Sequence, residues 1–256
     1  VIRLMRTILL GLIFIFSVQE SRANTYYISA SGNDNNAGTS IAAAWASIDK
    51  VNSFVFAAGD SIAFEAGATF SGSIANESFE NAAAGQRITI TSFGVGRATI
   101  SSGLQRGIYI QNHGFITISN LVIKGSGYKL SGFFTCGIDF YLYSTYAWGH
   151  MEDIEVNNVE VSGFGGWGLQ FYTDSEAFAF KKLRINNCSF HDNGRGGLGV
   201  YGSYDHQTLS VRISNYDVYI GHTEAYNNFG RSDYTTGWSG AGIFINGTEK
   251  ALIEYC

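Results

Sequence analysis

The chain has 256 residues, a formal net charge of −5 and only 14% charged residues. It has no basic stretch to pair with phosphates, so nucleic acid is excluded as an expected partner, and the low charge content argues against a self-repelling disordered chain. Glycine (32 residues) and 15% aromatics suit short strands joined by tight turns, while proline is absent, which nothing in the sequence explains.

Residues 1–23 read as a secretory leader. Arg3 and Arg6 form its positive end, Ile8–Val18 its apolar core, and Ser21-Arg22-Ala23 places small residues at the cleavage positions. The apolar core is well short of the ~20 residues needed to span a bilayer. The expected product is therefore exported and without a membrane span. Residues 24–59 read as an N-terminal strand, Thr25–Ser29, then a Gly/Asn/Asp-rich loop and a helix over Ile41–Asn52. Asp34-Asn35-Asn36 lacks the offsets of a calcium loop and reads as turn chemistry. Trp45, Ile48 and Val51 recur at helical spacing and mark one apolar face. That helix is assigned to capping, because the first unit of a repeat array exposes an apolar layer and open strand edges.

From residue 60 to residue 256 the chain reads as strands. Five segments align without gaps: Gly107-Ile108-Tyr109-Ile110, Gly137-Ile138-Asp139-Phe140, Gly168-Leu169-Gln170-Phe171, Gly197-Leu198-Gly199-Val200 and Gly242-Ile243-Phe244-Ile245. Their starts are 30, 31, 29 and 45 residues apart. A second series follows in the same order and carries Asn120, Asn158, Asn187, His222 and Tyr255 at one position. Self-similarity at a fixed period marks a solenoid. The expectation is an all-β stack in which Ile108, Ile138, Leu169, Leu198 and Ile243 form one inner column, with stacked Asn side chains at left-handed corners. The fifth unit is expected to be incomplete at Cys256. Cys136, Cys188 and Cys256 are odd in number and widely spaced, which is not a disulfide framework.

The Gly-[Ile/Leu]-x-[Ile/Phe/Val] strands, the run Ile-Asn-Asn-Cys-Ser-Phe-His-Asp-Asn-Gly at 185–194 and Ala225-Tyr226-Asn227-Asn228-Phe229-Gly230 carry a resemblance. So does the opening Tyr26-Tyr27-Ile28-Ser29-Ala30-Ser31-Gly32-Asn33-Asp34. The chain resembles the right-handed parallel β-helix proteins of pectate-lyase-like architecture over nearly all of 25–256. That resemblance implies a right-handed parallel β-helix with a short N-terminal capping helix. It also implies exported bacterial protein chemistry on polysaccharide, although the superfamily holds lyases, glycoside hydrolases, epimerases, tailspikes and adhesins. The leading expectation is a polysaccharide lyase or glycoside hydrolase-like protein, expected as a monomer. The alternatives are a non-catalytic glycan-binding surface protein and an inactive fragment.

Two loop groups carry candidate residues. Loops after the first strand of each unit hold Tyr143 and Trp148, then Tyr172 and Asp174, then Tyr204, Asp205 and His206. Stacked, they would make an aromatic and acidic wall for a glycan, or would pack on themselves. Loops after the third strand hold His191, Asp192, Arg195, Arg231 and Asp233. Uronate-cleaving members of the superfamily use a basic residue and calcium-holding carboxylates, so the resemblance implies catalytic candidates here and Ca2+ as the candidate cofactor. The competing reading of His191-Asp192-Asn193-Gly194 is a turn whose Asp and Asn bond their own backbone. Coils stack ~4.8 Å apart, so Asp174 with Asp205, or Asp192 with Asp233, could meet the ~5–9.5 Å carboxylate spacing of a glycosidase.

Overall fold

The computed structural model describes residues 23–75, 79, 81–143, 149–173, 178–202, 213–234 and 239–256. Every strand-to-strand ladder among them is parallel. The ladders make three faces. The first stacks Ile108–Gln111, Ile138–Leu142, Trp167–Thr173, Gly196–Val200 and Ala241–Ile245. The second stacks Thr25–Ile28, Ser61–Glu65, Ile88–Phe93, the leading parts of Ile116–Gly125 and Gly149–Ser162, Phe178–Asn186, Tyr216–Gly221 and Ala251–Glu254. The third stacks Thr69–Ser71, Ala98–Gly103, the trailing parts of those two long strands, Ser189–His191 and Glu224–Tyr226. Each return to a ladder is one full coil, and such parallel crossovers take the right hand. The chain is a right-handed parallel β-helix.

The repeat register holds residue for residue. Ile108 lies beside Ile138, Leu169 beside Ile138, Leu198 beside Leu169 and Ile243 beside Leu198. The first four are fully buried and Ile243 packs against them. Each fully buried Ile or Leu contributes roughly 1.5–3 kcal/mol from its removal from water. The glycine that opens each unit is dictated by this core. A Cβ on Gly107 would strike the Ile123 side chain, and one on Gly137 would strike Val161, both buried residues of the third face.

The corner between the second and third faces is left-handed, with φ of 54°, 53° and 52° at Asn120, Asn158 and Asn187. Asn visits this region more readily than other non-glycine residues because its short amide can bond locally. Asn158 Nδ2 donates to Asn120 Oδ1 at 2.8 Å, as a stacked amide ladder requires. The next rung slips by one residue, with Asn187 Nδ2 donating to Asn157 Oδ1 at 3.1 Å. Beyond it, His222 (φ 47°) and Tyr255 (φ 54°) keep the same backbone and stack their rings 4.8 Å apart. Cys188 stands in this series, buried, and burial pushes its thiol up to about 11. All three cysteines are free.

At the N-terminal end the expected helix is shorter than its apolar spacing implies. Ile41–Ala43 is a single 3-10 turn and only Ile48–Asn52 is α-helical. Trp45 interrupts because its backbone joins the ladder. Its N–H donates to Tyr27 O and its carbonyl accepts from Ser29 N, each at 2.8 Å, beside the otherwise open edge of Thr25–Ile28. The helix then starts at Ser47, whose side chain accepts from Lys50 N, a standard N-cap bond. Trp45, Ile48 and Val51 are all buried nonetheless, and Trp45 stacks on Tyr26 at 5.0 Å beside Phe54 and Phe56. Asp34 is turn chemistry: it accepts from Ala46 N and from Ser47 N and Oγ. Among the described residues no helix is long and apolar enough to cross a membrane.

Candidate functional site

The outer side of the first face is unlike the other two. A β-helix strand normally buries alternate residues, as Ile116–Gly125 does. Gly196–Val200 and Trp167–Phe171 are each buried at five positions in succession, against at most three on the second face, at Ile62–Phe64 and Phe178–Phe180. Something therefore covers the outward-pointing side chains there. They lie in two columns, one passing through Tyr109, Asp139, Gln170, Gly199 and Phe244, the other through Gln111, Tyr141, Tyr172 and Tyr201.

Asp139 is the unusual member, a carboxylate only 1% exposed on the outside of the solenoid. Gln170 Nε2 donates to its Oδ1 at 3.1 Å, and Arg106 Nε lies 2.8 Å from its Oδ2. The guanidinium of Arg106 sits 4.6 Å over the Tyr109 ring and is 41% exposed. Burial disfavours the charged carboxylate and pushes Asp139 up to about 6, although Arg106 and the Gln170 bond pull the other way. A cleft of about 380 Å³ opens beside this group, lined by Ser73, Ala75, Gln105, Arg106, Tyr109, Phe134 and Thr135. Asp139 was legible only as the variable third position of a Gly-hydrophobic-x-hydrophobic strand. The available signal was that x is Tyr, Asp and Gln in three successive units.

The tyrosine column is a continuous ring stack. Tyr141 lies 6.4 Å from Tyr143 and 5.6 Å from Tyr172, both near-parallel, and Tyr172 meets Tyr201 edge-on at 5.6 Å. Only Tyr141 and Tyr172 face one another along the helix axis; Tyr143 lies beside Tyr141 on the same coil. Tyr143, 44% exposed, ends this run. The expected wall thus exists where described, but it is built mainly from strand residues. Trp148, Asp174, Tyr204, Asp205 and His206 lie outside the described residues.

The second group of candidates divides. His191 Nδ1 is 2.6 Å from Asp192 Oδ2, its Nε2 is 3.6 Å from Glu160, and its ring stacks on Tyr226 at 4.8 Å. Asp192 has φ 55° and turns the corner, while the buried Asn193 bonds Phe164 N, Val161 O and, through its N–H, Asn228 Oδ1. That is the geometry of a turn. The register continues from His191–Tyr226, so Asn227 rather than Asp233 stands over Asp192. The Asp192–Asp233 carboxylate pair therefore does not form across adjacent coils.

Arg231 and Asp233 pair with each other at the edge of another cleft, about 670 Å³, with Tyr128, Lys129 and Phe229. Arg231 holds Asp233 below the usual carboxylate range through this hydrogen bond. Its Nη1 also donates to Tyr128 O at 3.2 Å and Ser131 O at 2.6 Å. Those bonds tie the loop 126–135 to the loop after residue 227, and Tyr234 stacks on Phe133 at 3.4 Å. The side chain crosses Gly165 and Gly194, where a Cβ would strike it at 2.9 and 2.8 Å. The glycine-rich stretch 163–166 is a packed corner leading into the strand Trp167–Thr173.

Arg195 belongs to the first face. Its guanidinium lies 5.2 to 5.9 Å from the rings of Phe133, Tyr201, Phe134 and Trp167. Trp167, 1% exposed, lies flat over Gly196 and Gly199, where any Cβ would meet its indole. Among the described residues no group of three or more His, Cys, Asp or Glu side chains could hold a metal ion.

No protein-family model and no curated protein matches the chain. Among solved structures it is similar to the GH136 lacto-N-biosidase from Eubacterium ramulus. The selenomethionine derivative matches at TM-score 0.61 and 16% identity over 91% of this chain and 44% of that one. The native crystal matches at TM-score 0.53 and 14% identity over 78% and 41%. A rhamnogalacturonan lyase matches at TM-score 0.37 and 17% identity over 91% of this chain and 56% of that one. The chain spans less than half the length of the GH136 structures, and at these identities the likeness shows the fold alone.

Proposed function

We propose that this protein is carbohydrate-active, and that its glycan runs along the outer side of the first face, parallel to the helix axis. The observation that carries this reading is the tyrosine column Tyr141–Tyr172–Tyr201, flanked by Tyr143 on the coil of Tyr141, beside the buried carboxyl of Asp139. Like residues recur every ~4.8 Å along the axis, close to the advance of one sugar along an extended chain. A row of phenol hydroxyls at that repeat can bond successive sugar hydroxyls. The fold likeness to a glycoside hydrolase supports the reading, and the export expected from residues 1–23 is compatible with it.

In the catalytic form of this reading Asp139 is the proton donor to a glycosidic oxygen. A carboxyl that keeps its proton to about 6 is suited to that task. Arg106 stands between Asp139 and the 380 Å³ cleft, so its side chain must turn aside, or be engaged by substrate, before the acid is reached. The binding-only form draws on a specific fact too: both Asp139 oxygens are already engaged, by Gln170 and by Arg106.

One experiment separates them. The protein is incubated with neutral and uronate-containing oligosaccharides, a lacto-N-bioside among them, and assayed for reducing ends and for the ultraviolet absorbance of a new C=C bond. The catalytic form expects product, lost by about 10²–10⁴-fold in Asp139→Asn, with activity falling as pH rises through about 6. Retention in affinity electrophoresis without product, weakened by Tyr172→Ala, leaves the binding form. Neither product nor retention for any glycan overturns the proposal.

A further inference from the structure

Five buried side-chain nitrogen or oxygen atoms among the described residues lack a hydrogen-bond partner, and four of them lie on one surface. They are Arg106 Nε, Trp167 Nε1, Gln170 Oε1 and Arg195 Nε, all on the outer side of the first face; the fifth is Asn186 Oδ1 on the second. For Arg106 and Trp167 the orphaning is one of alignment, since Arg106 Nε still lies 2.8 Å from Asp139 and the Trp167 indole is directed at the Tyr201 hydroxyl. Natural proteins leave few such groups, and a cluster of them calls for an explanation. Trp167 is 1% and Gln170 7% exposed, so their unpaired atoms cannot simply face bulk water.

Arg195 sharpens the point. Its guanidinium makes no hydrogen bond or ion pair among the described residues. Every other arginine among those residues pairs with a carboxylate: Arg87, Arg97, Arg106, Arg184 and Arg231. Four aromatic rings fix Arg195 in place instead. Rings hold a cation through their negative faces but supply no acceptor for its N–H groups. Part of the fork remains open, and Phe134, one of its four rings, is exposed and also lines the Arg106 cleft.

We propose that Arg195, in its aromatic cage, receives an oxyanion substituent of the glycan, a carboxylate or a sulfate. This rests on the first-face glycan reading above. A guanidinium fork accepts two oxygens of such a group in parallel bonds, which gives both attraction and orientation. The acidic substituent would also meet no competing carboxylate at Arg195, because Asp139 is occupied by Arg106.

The test uses the full chain and an array of neutral, uronate-bearing and sulfated glycans, together with the methyl esters of the uronates. Binding is followed by calorimetry and by the intrinsic fluorescence change of Trp167, checked in Trp167→Phe. The expected result is binding of acidic glycans at least 10-fold tighter than of their esters or neutral counterparts. Arg195→Gln should remove that preference while leaving weak neutral binding, and Arg195→Lys should restore it only in part. The uronate and sulfate arms identify which oxyanion fits. Each variant is checked by circular dichroism and thermal melting. If Arg195→Gln does not fold, the ester comparison on the wild-type protein decides alone. Equal affinity for acid and ester overturns the oxyanion site and leaves the glycan reading standing, with the four orphan atoms then satisfied by water only. No binding to any glycan overturns both.

Discussion

The outer sides of the first and second faces are made by the same backbone and the same stacking, yet they treat charge in opposite ways. On the second face charges stand in the open and are matched. Arg87 bonds Asp153 and Glu155, Arg184 bonds Asp217 at 2.7 Å, and Glu152 lies 3.4 and 3.8 Å from Lys182 and Lys181. On the first face a carboxylate is nearly inaccessible, an arginine is held by rings alone and four polar atoms are left over. A face whose charges are all matched and hydrated needs nothing further. A face that buries polar groups without completing their bonds is less stable than it could be, and such sacrifices concentrate at functional sites.

Breaking one ion pair on each face measures the contrast. The largest effect is expected for Arg106→Ala, which strands the Asp139 carboxylate in a buried setting. Removing one partner of a buried pair costs about 3–5 kcal/mol, and the exposed side of Arg106 places this case near 3. Urea unfolding at pH 8 should record it. A loss no larger than that of a second-face arginine would mean that Asp139 is hydrated and the contrast between the faces is only apparent.

The pH dependence should differ in sign between the faces. Asp139 is raised to about 6 in the fold against an ordinary value near 3.8. Between those values the folded state binds more protons than the unfolded one, so this group's contribution to stability falls as pH rises from about 4 to 6. Asp153 and Asp217 are held below their ordinary value, first of all by hydrogen bonds from Arg87 and Arg184. Their contribution is present above the ordinary value and is lost as pH falls through the lowered one. Thermal melts of Asp139→Asn across pH 2 to 8 should lack the decline between about 4 and 6 and keep the acid limb below the ordinary carboxylate value. A variant profile that still declines there would assign the titration to another group.

How much of this could be read from the sequence follows the same division. The inner column and the left-handed corners were legible because stacking repeats them: Ile108, Ile138, Leu169 and Leu198 differ by at most a methyl's position, and Asn120, Asn158 and Asn187 share a conformation few residues tolerate. The helix at 41–52 was overread because Trp45 satisfies a helical period while its backbone bonds Tyr27 and Ser29, a long-range fact that periodicity does not contain. Of the candidate catalytic set, only Arg195 lies on the first face. His191 and Asp192 stand at a turn, and Arg231 ties two loops together. Asp139 escaped notice because its burial comes from outside the repeat, through Arg106 and the neighbouring coil, and no single unit announces it.

The smallest effect is expected on the matched face, and salt distinguishes it from the first. Arg87→Ala removes two partly exposed pairs, each worth roughly 0.2–1 kcal/mol, so about 1 kcal/mol in low salt. In 1 M salt the Debye length shrinks to ~3 Å and most of that attraction is screened. Ions cannot enter the site of Asp139, so the larger cost of Arg106→Ala should survive the same salt. The ratio of the two losses should therefore widen as salt rises. If both shrink in proportion, the carboxyl of Asp139 is open to solvent, and its fitness as a proton donor near neutral pH is lost with its burial.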